Sequence, residues 1–184
     1  MLRLIAIFFL IPCANCMYAQ NLLQDKTSKK YAYKSDAFIY TEFSTFTNGF
    51  AFVNKGDKYA FINIHGDTLC PFEYDLVQSF NVNGLSLVGK DSLWGIIDTL
   101  NRTRVPIYYQ EVYFETPNCA SVLNEQSWQL ILISNTVNKK TEPYKLKPYV
   151  KNGNVFIPSD SLGLWENYDF ENFFSEIRTD NIKN

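Results

Sequence analysis

The sequence that decides the fold is NGLSLVGKDSLWGIID, at residues 83–98. It reads as an Asn-Gly pair, a strand-like run, a polar turn and a second strand-like run. Asn-Gly recurs at residues 48–49 and 152–153, and Asn118-Cys119 fills the gap, so the spacings are 35, 35 and 34 residues. A fixed period of this length is the sequence signature of a repeat protein. Because Asn and Gly accept positive φ, each Asn-Gly pair is expected to form a tight turn.

Other residues recur at the same period. The positions that define the repeat are Gly49, Pro71, Tyr74, Gly84, Trp94, Gly95, Pro106, Tyr109 and Trp128. Pro71 and Pro106 cannot donate a ladder hydrogen bond, so they are expected at strand starts or edges. Gly95 removes a side chain where a neighbouring backbone or ring is expected to approach closely.

These patterns predict an all-β fold of tandem antiparallel meander or hairpin repeats, each of about 35 residues. The repeat domain is expected to span residues 37–165 as an open, solenoid-like array whose units bury their faces on each other. Each unit is expected to hold three strands. In the second unit, residues 105–109 and 112–114 are expected to form one continuous third strand.

Residues 166–184 are predicted to form a short helix and a tail. Phe170, Phe173, Phe174 and Ile177 fall at i, i+3, i+4 and i+7, which is helical spacing. The helix is expected to cap the last repeat, because an open sheet edge invites aggregation. A helix that docks a partner would have the same spacing and is the alternative.

The unit resembles the WG repeat, also called the KWG repeat, of bacterial proteins. Residues 94–98 (Trp-Gly-Ile-Ile-Asp) and 105–109 (Val-Pro-Ile-Tyr-Tyr) match the family pattern best. Residues 58–63 are a softened copy, in which Tyr59 replaces Trp and Ala60 replaces Gly. The resemblance implies an all-β repeat fold, binding roles that are not defined, and no shared catalytic residues. The chain is identified on these motifs as a bacterial member of the family, and its export is predicted separately from the N-terminal segment.

The N-terminal segment predicts export. Residues 1–19 read as a secretory signal peptide, with Arg3 before an apolar run at residues 4–11 that is too short to span a bilayer. Ala19 is a small residue before a cleavage point. The polar residues 20–36 are expected to be a flexible lead-in. The mature chain is thus predicted to have no transmembrane segment and to lie in the periplasm, on the outer-membrane surface or outside the cell.

The cysteines leave two questions open. Cys13 and Cys16 offer a lipoprotein anchor as an alternative to soluble export. Cys70 and Cys119 remain in the mature chain, where an oxidising compartment would permit a disulfide between them. Two unbonded cysteines within a sheet are the other reading.

Charge and composition argue against several functions. Removing Arg3 from the 17 basic residues leaves 16 against 19 acidic ones, so nucleic-acid binding has no electrostatic support. His65 is the sole histidine, and a hydrolytic triad would need a full constellation around it. His65, Cys70 and Cys119 lack the spacing of a zinc site. We therefore expect no catalytic residue, metal or cofactor, and a hydrolase is the least favoured reading.

Aromatic residues are the remaining candidates for function. Tyr108, Tyr109 and Tyr113 are candidates for ring stacking on a ligand, and core packing is the alternative explanation. The predicted function is a binding or protein–protein interaction module of the cell envelope, with another envelope protein as partner. A carbohydrate-binding accessory protein, with a glycan as ligand, is the second hypothesis. Two or three coplanar rings exposed on one face would favour the glycan.

Overall fold

The computed structural model describes residues 22–25, 30–33, 40–136, 138–159 and 164–177. The predicted signal peptide and the cysteines at positions 13 and 16 lie outside these residues. Within the predicted lead-in, β1 (Leu22–Asp25) and β2 (Lys30–Tyr33) pair antiparallel, so part of this segment is ordered as a sheet. Its polar composition had indicated an irregular chain. Strand pairing satisfies backbone N–H and C=O groups whatever the side chains are.

The rest of the described chain forms four antiparallel sheets in chain order. The first sheet contains β3 (Glu42–Phe43), β4 (Phe50–Lys55) and β5 (Lys58–Asn63). The second contains β6 (Leu76–Val77), β7 (Leu85–Lys90), β8 (Leu93–Asp98) and β9 (Thr103–Tyr109). The third contains β10 (Glu111–Thr116), β11 (Cys119–Asn124), β12 (Ser127–Leu132) and β13 (Lys139–Lys140). The fourth contains β14 (Tyr149–Lys151), β15 (Asn154–Pro158) and β16 (Trp165–Asp169), and helix α1 (Phe170–Glu176) follows it.

This arrangement confirms the predicted tandem antiparallel repeats. Asn48 and Gly49 both have positive φ, at 51° and 80°, as the turn chemistry requires. The turns of successive repeats are also joined to one another. The Asn48 side-chain amide donates to the Asn81 carbonyl, and the Asn81 side-chain amide donates to the Pro117 carbonyl at 2.9 Å.

The expected continuous third strand is wrong, because the chain changes sheets within it. β9 pairs with β8 in the second sheet, whereas β10 pairs with β11 in the third. Gln110 lies between them and donates its backbone N–H to the Leu123 carbonyl at 2.9 Å. An extended run in the sequence does not reveal where a chain exchanges one strand partner for another. The second and third sheets each have four strands instead of the expected three.

Equivalent positions of the repeats share backbone pairings, although their prolines differ. The recurring antiparallel pairings are Tyr59 with Tyr74, Trp94 with Tyr109, and Trp128 with Tyr144. Pro106 lies inside β9, whereas Pro71 lies outside the strands, and both are exposed. The far edge of the first sheet is therefore present only as isolated pairings, such as Ile62 with Thr68.

The sheets stack through three buried clusters. Leu85 and Leu87 of β7 point into the cluster shared with the third sheet, whereas Val88 points into the cluster shared with the first. Successive residues of a strand face opposite sides, so β7 buries both of its faces. The third cluster joins Cys119 and Leu130 to Val155 of the fourth sheet and to α1. Each sheet is thus completed by its neighbours.

Helix α1 packs on the last sheet, as expected for a cap. Asp169 is its N-cap, and the Asp169 carboxylate accepts from the Asn172 backbone N–H at 3.1 Å. Phe174 is buried in the third cluster, and Lys139 of the third sheet donates to the Phe174 carbonyl at 2.6 Å. The helix begins at Phe170, the first residue of the predicted helical stripe, directly after β16 ends at Asp169. The described part of the chain contains no helix of the length and apolarity that a membrane crossing needs.

Candidate functional site

The three predicted tyrosines have different environments. Tyr109 is 2% exposed and belongs to the cluster between the second and third sheets, so it is a core residue and not a surface ring. Burial raises the pKa of Tyr109, and the hydroxyl bond from Tyr108 at 2.9 Å adds to this. Tyr108 stacks on Tyr109 with ring centroids 4.1 Å apart and remains exposed. The structure therefore does not support Tyr109 as a ligand-stacking residue.

Tyr113 is exposed and lies beside a ring that sequence reasoning had placed only in the repeat framework. The Tyr113 and Trp128 ring centroids are 6.1 Å apart, with ring planes 30° apart. The Lys147 ammonium lies 4.1 Å from the Tyr113 ring centroid and 5.7 Å from the Trp128 ring. We name Tyr113, Trp128 and Lys147 the aromatic platform.

The strand register of the third sheet positions the platform. Glu111 of β10 lies opposite Leu123 of β11, and Leu123 in turn lies opposite Trp128 of β12. Tyr113 is two residues beyond Glu111, so its side chain points to the same face as Trp128, and the two rings approach each other across β11. The Tyr113 hydroxyl donates to the Glu111 carboxylate at 2.9 Å, and this bond raises the pKa of Tyr113.

A largely buried carboxylate, that of Glu115, holds Lys147 over the ring. The Glu115 side chain is 10% exposed and forms an ion pair with Lys147 at 2.9 Å. It also accepts from the Ser121 hydroxyl at 2.7 Å and from the Val150 backbone N–H at 3.3 Å. Charge-assisted hydrogen bonds of this kind are stronger than neutral ones. The platform is therefore preorganised and is supported by both the third and the fourth sheets.

The buried Asp98 carboxylate closes the turn that follows β8 in the second repeat. The Asp98 side chain, 6% exposed, accepts from the backbone N–H groups of Leu100 and Arg102 at 2.9 and 3.0 Å. It also pairs with the Arg102 Nε at 2.7 Å and with the Arg104 Nη1 at 3.3 Å. Burial raises the pKa of Asp98, but the bonds from Arg102 and Leu100 outweigh it, so the pKa lies below its ordinary value.

The corresponding residue of the first repeat forms the same kind of turn. The Asn63 side-chain oxygen accepts from the backbone N–H groups of His65 and Asp67 at 2.8 and 2.9 Å. Since an amide replaces the carboxylate there, the recurring role of this position is to close a turn. Asp98 thus closes its turn in the same way as Asn63 does in the first repeat.

Asp98 makes the stability of the protein depend on pH. Its pKa is lower in the folded state, so its contribution is fully present above the ordinary value of 3.8 and is lost as pH falls through the folded value. Asp98→Asn can keep the turn but loses the ion pairs, and we expect it to be less stable by about 2 kcal/mol at pH 7. Urea unfolding between pH 2 and pH 7 should show the difference shrinking below about pH 4. A difference that does not vary with pH would contradict this role.

The other candidate groups do not converge. Cys70 and Cys119 are free thiols, and they belong to different clusters, at opposite ends of the stack. Burial raises the pKa of both, which disfavours the reactive thiolate. His65 lies in a turn of the first sheet. Among the residues that the structure describes, no three His, Cys, Asp or Glu side chains come close enough to hold a metal ion.

Tandem antiparallel sheets that bury their faces on one another define a β-repeat protein. The family model described as "WG containing repeat" matches residues 37–59, 60–94 and 94–128. The chain belongs to this WG repeat family, which confirms the resemblance seen in residues 94–98 and 105–109.

Some solved structures are loosely similar in fold. The N-terminal domain of Nup159 is 12% identical, with a TM-score of 0.45 over 74% of this chain and 46% of that one. Hsv2 of Kluyveromyces lactis, with a complete loop 6CD, is 11% identical, with a TM-score of 0.36 over 66% of this chain and 46% of that one. The chain therefore spans less than half of each of these proteins. No functionally curated protein matches its sequence significantly.

Proposed function

We propose that the chain is a non-enzymatic, exported β-repeat module that binds a partner protein at the bacterial cell envelope. The observation that carries the binding role is the aromatic platform on the third sheet. Tyr and Trp are enriched among residues that dominate protein interfaces, and preorganised side chains lose little entropy on binding. Export is supported by the signal-peptide pattern of residues 1–19.

Lys147 favours a protein over a glycan as the ligand. A sugar that stacks on Tyr113 needs a free ring face, but the Lys147 ammonium lies 4.1 Å from the ring centroid. Glu115 holds that ammonium in place through a 2.9 Å ion pair. A platform that presents a ring, a cation and the Glu111 carboxylate together matches the mixed chemistry of a protein surface.

A glycan remains the second candidate, because the structure does place two aromatic rings beside each other. The planes of Tyr113 and Trp128 differ by only 30°. A ligand that displaced Lys147 would meet both rings. Binding of a glycan that is abolished by Tyr113→Ala would favour this candidate over the protein partner.

Tyr113→Ala is expected to weaken partner binding by about 30-fold, the effect of losing about 2 kcal/mol at an interface hot spot. The matched control is Tyr168→Ala. Tyr168 is also exposed on a strand, and its hydroxyl also donates to a glutamate two residues earlier, Glu166. Envelope extract is passed over the wild type and both variants, and the dissociation constant is then measured with each purified partner.

The variants separate the outcomes. A protein retained by the wild type and by Tyr168→Ala but lost with Tyr113→Ala supports the proposal. Equal retention by all three shows that the platform is not the binding surface. Retention of a purified polysaccharide in place of a protein transfers the proposal to the glycan candidate.

A further inference from the structure

A groove lies between the second and third sheets, at the end where the Asn-containing turns are found. We propose that it binds the carboxylate of a small polar ligand. Its volume is about 440 Å³, which is in the usual range for small-molecule sites. The described residues that line it are Asn83, Leu85, Arg104, Asn118, Leu132, Ile133, Ser134 and Asn135.

The repeat itself builds the groove. Asn83 and Asn118 occupy equivalent positions before β7 and β11, so stacking of the sheets places the two turns next to each other. The Asn118 carbonyl accepts from the Ile133 backbone N–H at 2.7 Å, which ties this turn to the end of β12. Leu85 and Ile133 are buried and form an apolar floor beneath the polar rim. Most of the lining is polar, which suits a polar ligand better than an apolar one.

Arg104 is the single charged side chain among the described residues that line the groove. Its side chain is 14% exposed, and it bonds to the Asp98 carboxylate at 3.3 Å and to the Ser134 carbonyl. Those two bonds use two of the five N–H donors of a guanidinium. Asp98 also pairs with Arg102 at 2.7 Å, so the three side chains together carry one net positive charge.

The donor set fits a carboxylate. A guanidinium donates to a carboxylate in a planar, bidentate geometry, and no described lining residue carries a negative charge that would oppose it. The side-chain amides of Asn83, Asn118 and Asn135 can each donate and accept hydrogen bonds. They suit the hydroxyl or amide groups that accompany the carboxylate in an acidic sugar or at a peptide C-terminus. The shared chemistry is the carboxylate, and the two sources are separated by experiment.

The test uses two acids and their neutral counterparts on the full chain. Glucuronate is compared with glucose, and N-acetylalanine with N-acetylalaninamide, by titration calorimetry and by amide chemical-shift changes. At least one acid should bind, with shifts centred on residues 83, 104, 118 and 133–135. Its neutral counterpart should bind about tenfold or more weakly, as expected for loss of a charged hydrogen-bond acceptor. Absence of binding by both acids at millimolar concentration, or equal binding by acid and counterpart, overturns the proposal.

Charge variants keep the test independent of folding. Asn83→Asp places a carboxylate on an exposed rim residue and should weaken acid binding about fivefold or more by repulsion. Asn167→Asp makes the same change on an exposed residue of β16, outside the groove, and should bind like the wild type. Arg104→Lys should also weaken binding, because a lysine cannot form the bidentate pair. Wild-type affinity in Asn83→Asp would overturn the assignment of the groove. Loss of partner protein binding through Tyr113 does not bear on this site.

Discussion

Gly95→Ala is expected to destabilise the protein by about 3 kcal/mol, at the upper end of the range for overpacking. A Cβ atom at position 95 would lie 2.7 Å from the Val105 carbonyl oxygen and 2.8 Å from the Ile107 backbone nitrogen. Both are backbone atoms of β9, so neither can rotate away as a side chain would. The β8–β9 register already shifts between Trp94 and Ile96, around this glycine. Urea unfolding followed by tryptophan fluorescence would measure the loss.

Gly89→Ala is the matched control. Gly89 is on β7, where it lies opposite Trp94 of β8. A Cβ atom added at Gly89 would meet only side-chain atoms, namely the Trp94 ring at 3.3 Å and Leu76 at 3.5 Å. A ring can shift by a few tenths of an ångström, so we expect a loss of about 1 kcal/mol or less. Equal losses in the two variants would mean that close backbone approach is not why glycine follows tryptophan in this repeat.

The first repeat shows why a residue other than glycine is tolerated at the position equivalent to Gly95. Ala60 occupies the position of Gly95 and is fully buried. The strand that would pass over it is reduced to isolated pairings at Tyr74 and Thr68. Without a continuous neighbouring strand, there is room for one methyl group. The departure from the Trp-Gly motif at Tyr59-Ala60 thus follows from the weaker edge of the first sheet.

Much of the fold could be predicted because the same sequence pattern occurs several times along the chain. Asn-Gly turns and apolar runs at a constant period indicate sheets, and the tandem arrangement indicates stacking. The change of sheet at Gln110 could not be predicted, because residues 103–116 read as one extended segment. The pairing partner of each half is decided by tertiary contacts made far away in the sequence.

The candidate site was less predictable than the fold, for a related reason. Tyr109 and Tyr113 belong to the same aromatic run, yet one is buried and the other is exposed, since they lie in different sheets. Trp128 and Lys147 reach Tyr113 through strand register and through the ion pair with Glu115. Nothing local in the sequence around Lys147 signals that position. The groove at Arg104 likewise exists only where two repeats meet.

Phe80→Ala is expected to cost about 3–5 kcal/mol, the usual range for truncating a buried phenylalanine. Phe80 is 2% exposed and lies between β6 and β7. Its ring centroid is 4.6 Å from that of Phe61 and 5.5 Å from that of Phe50, so it joins the first sheet to the second. Urea unfolding would measure the total loss, and Phe80→Leu, which leaves a smaller cavity, should lose clearly less.

The location of the loss tests how the array is held together. In a stack in which each repeat contacts only its neighbours, stability is a sum of repeat and interface contributions. Removing the Phe80 ring weakens the interface between the first two sheets and leaves the Cys119, Leu130 and Val155 cluster untouched. Amide hydrogen exchange should therefore accelerate in β4 and β5 much more than in β11 and β12. An equal acceleration in all four strands would show that the sheets unfold as one unit, and the nearest-neighbour description of the stack would then be wrong.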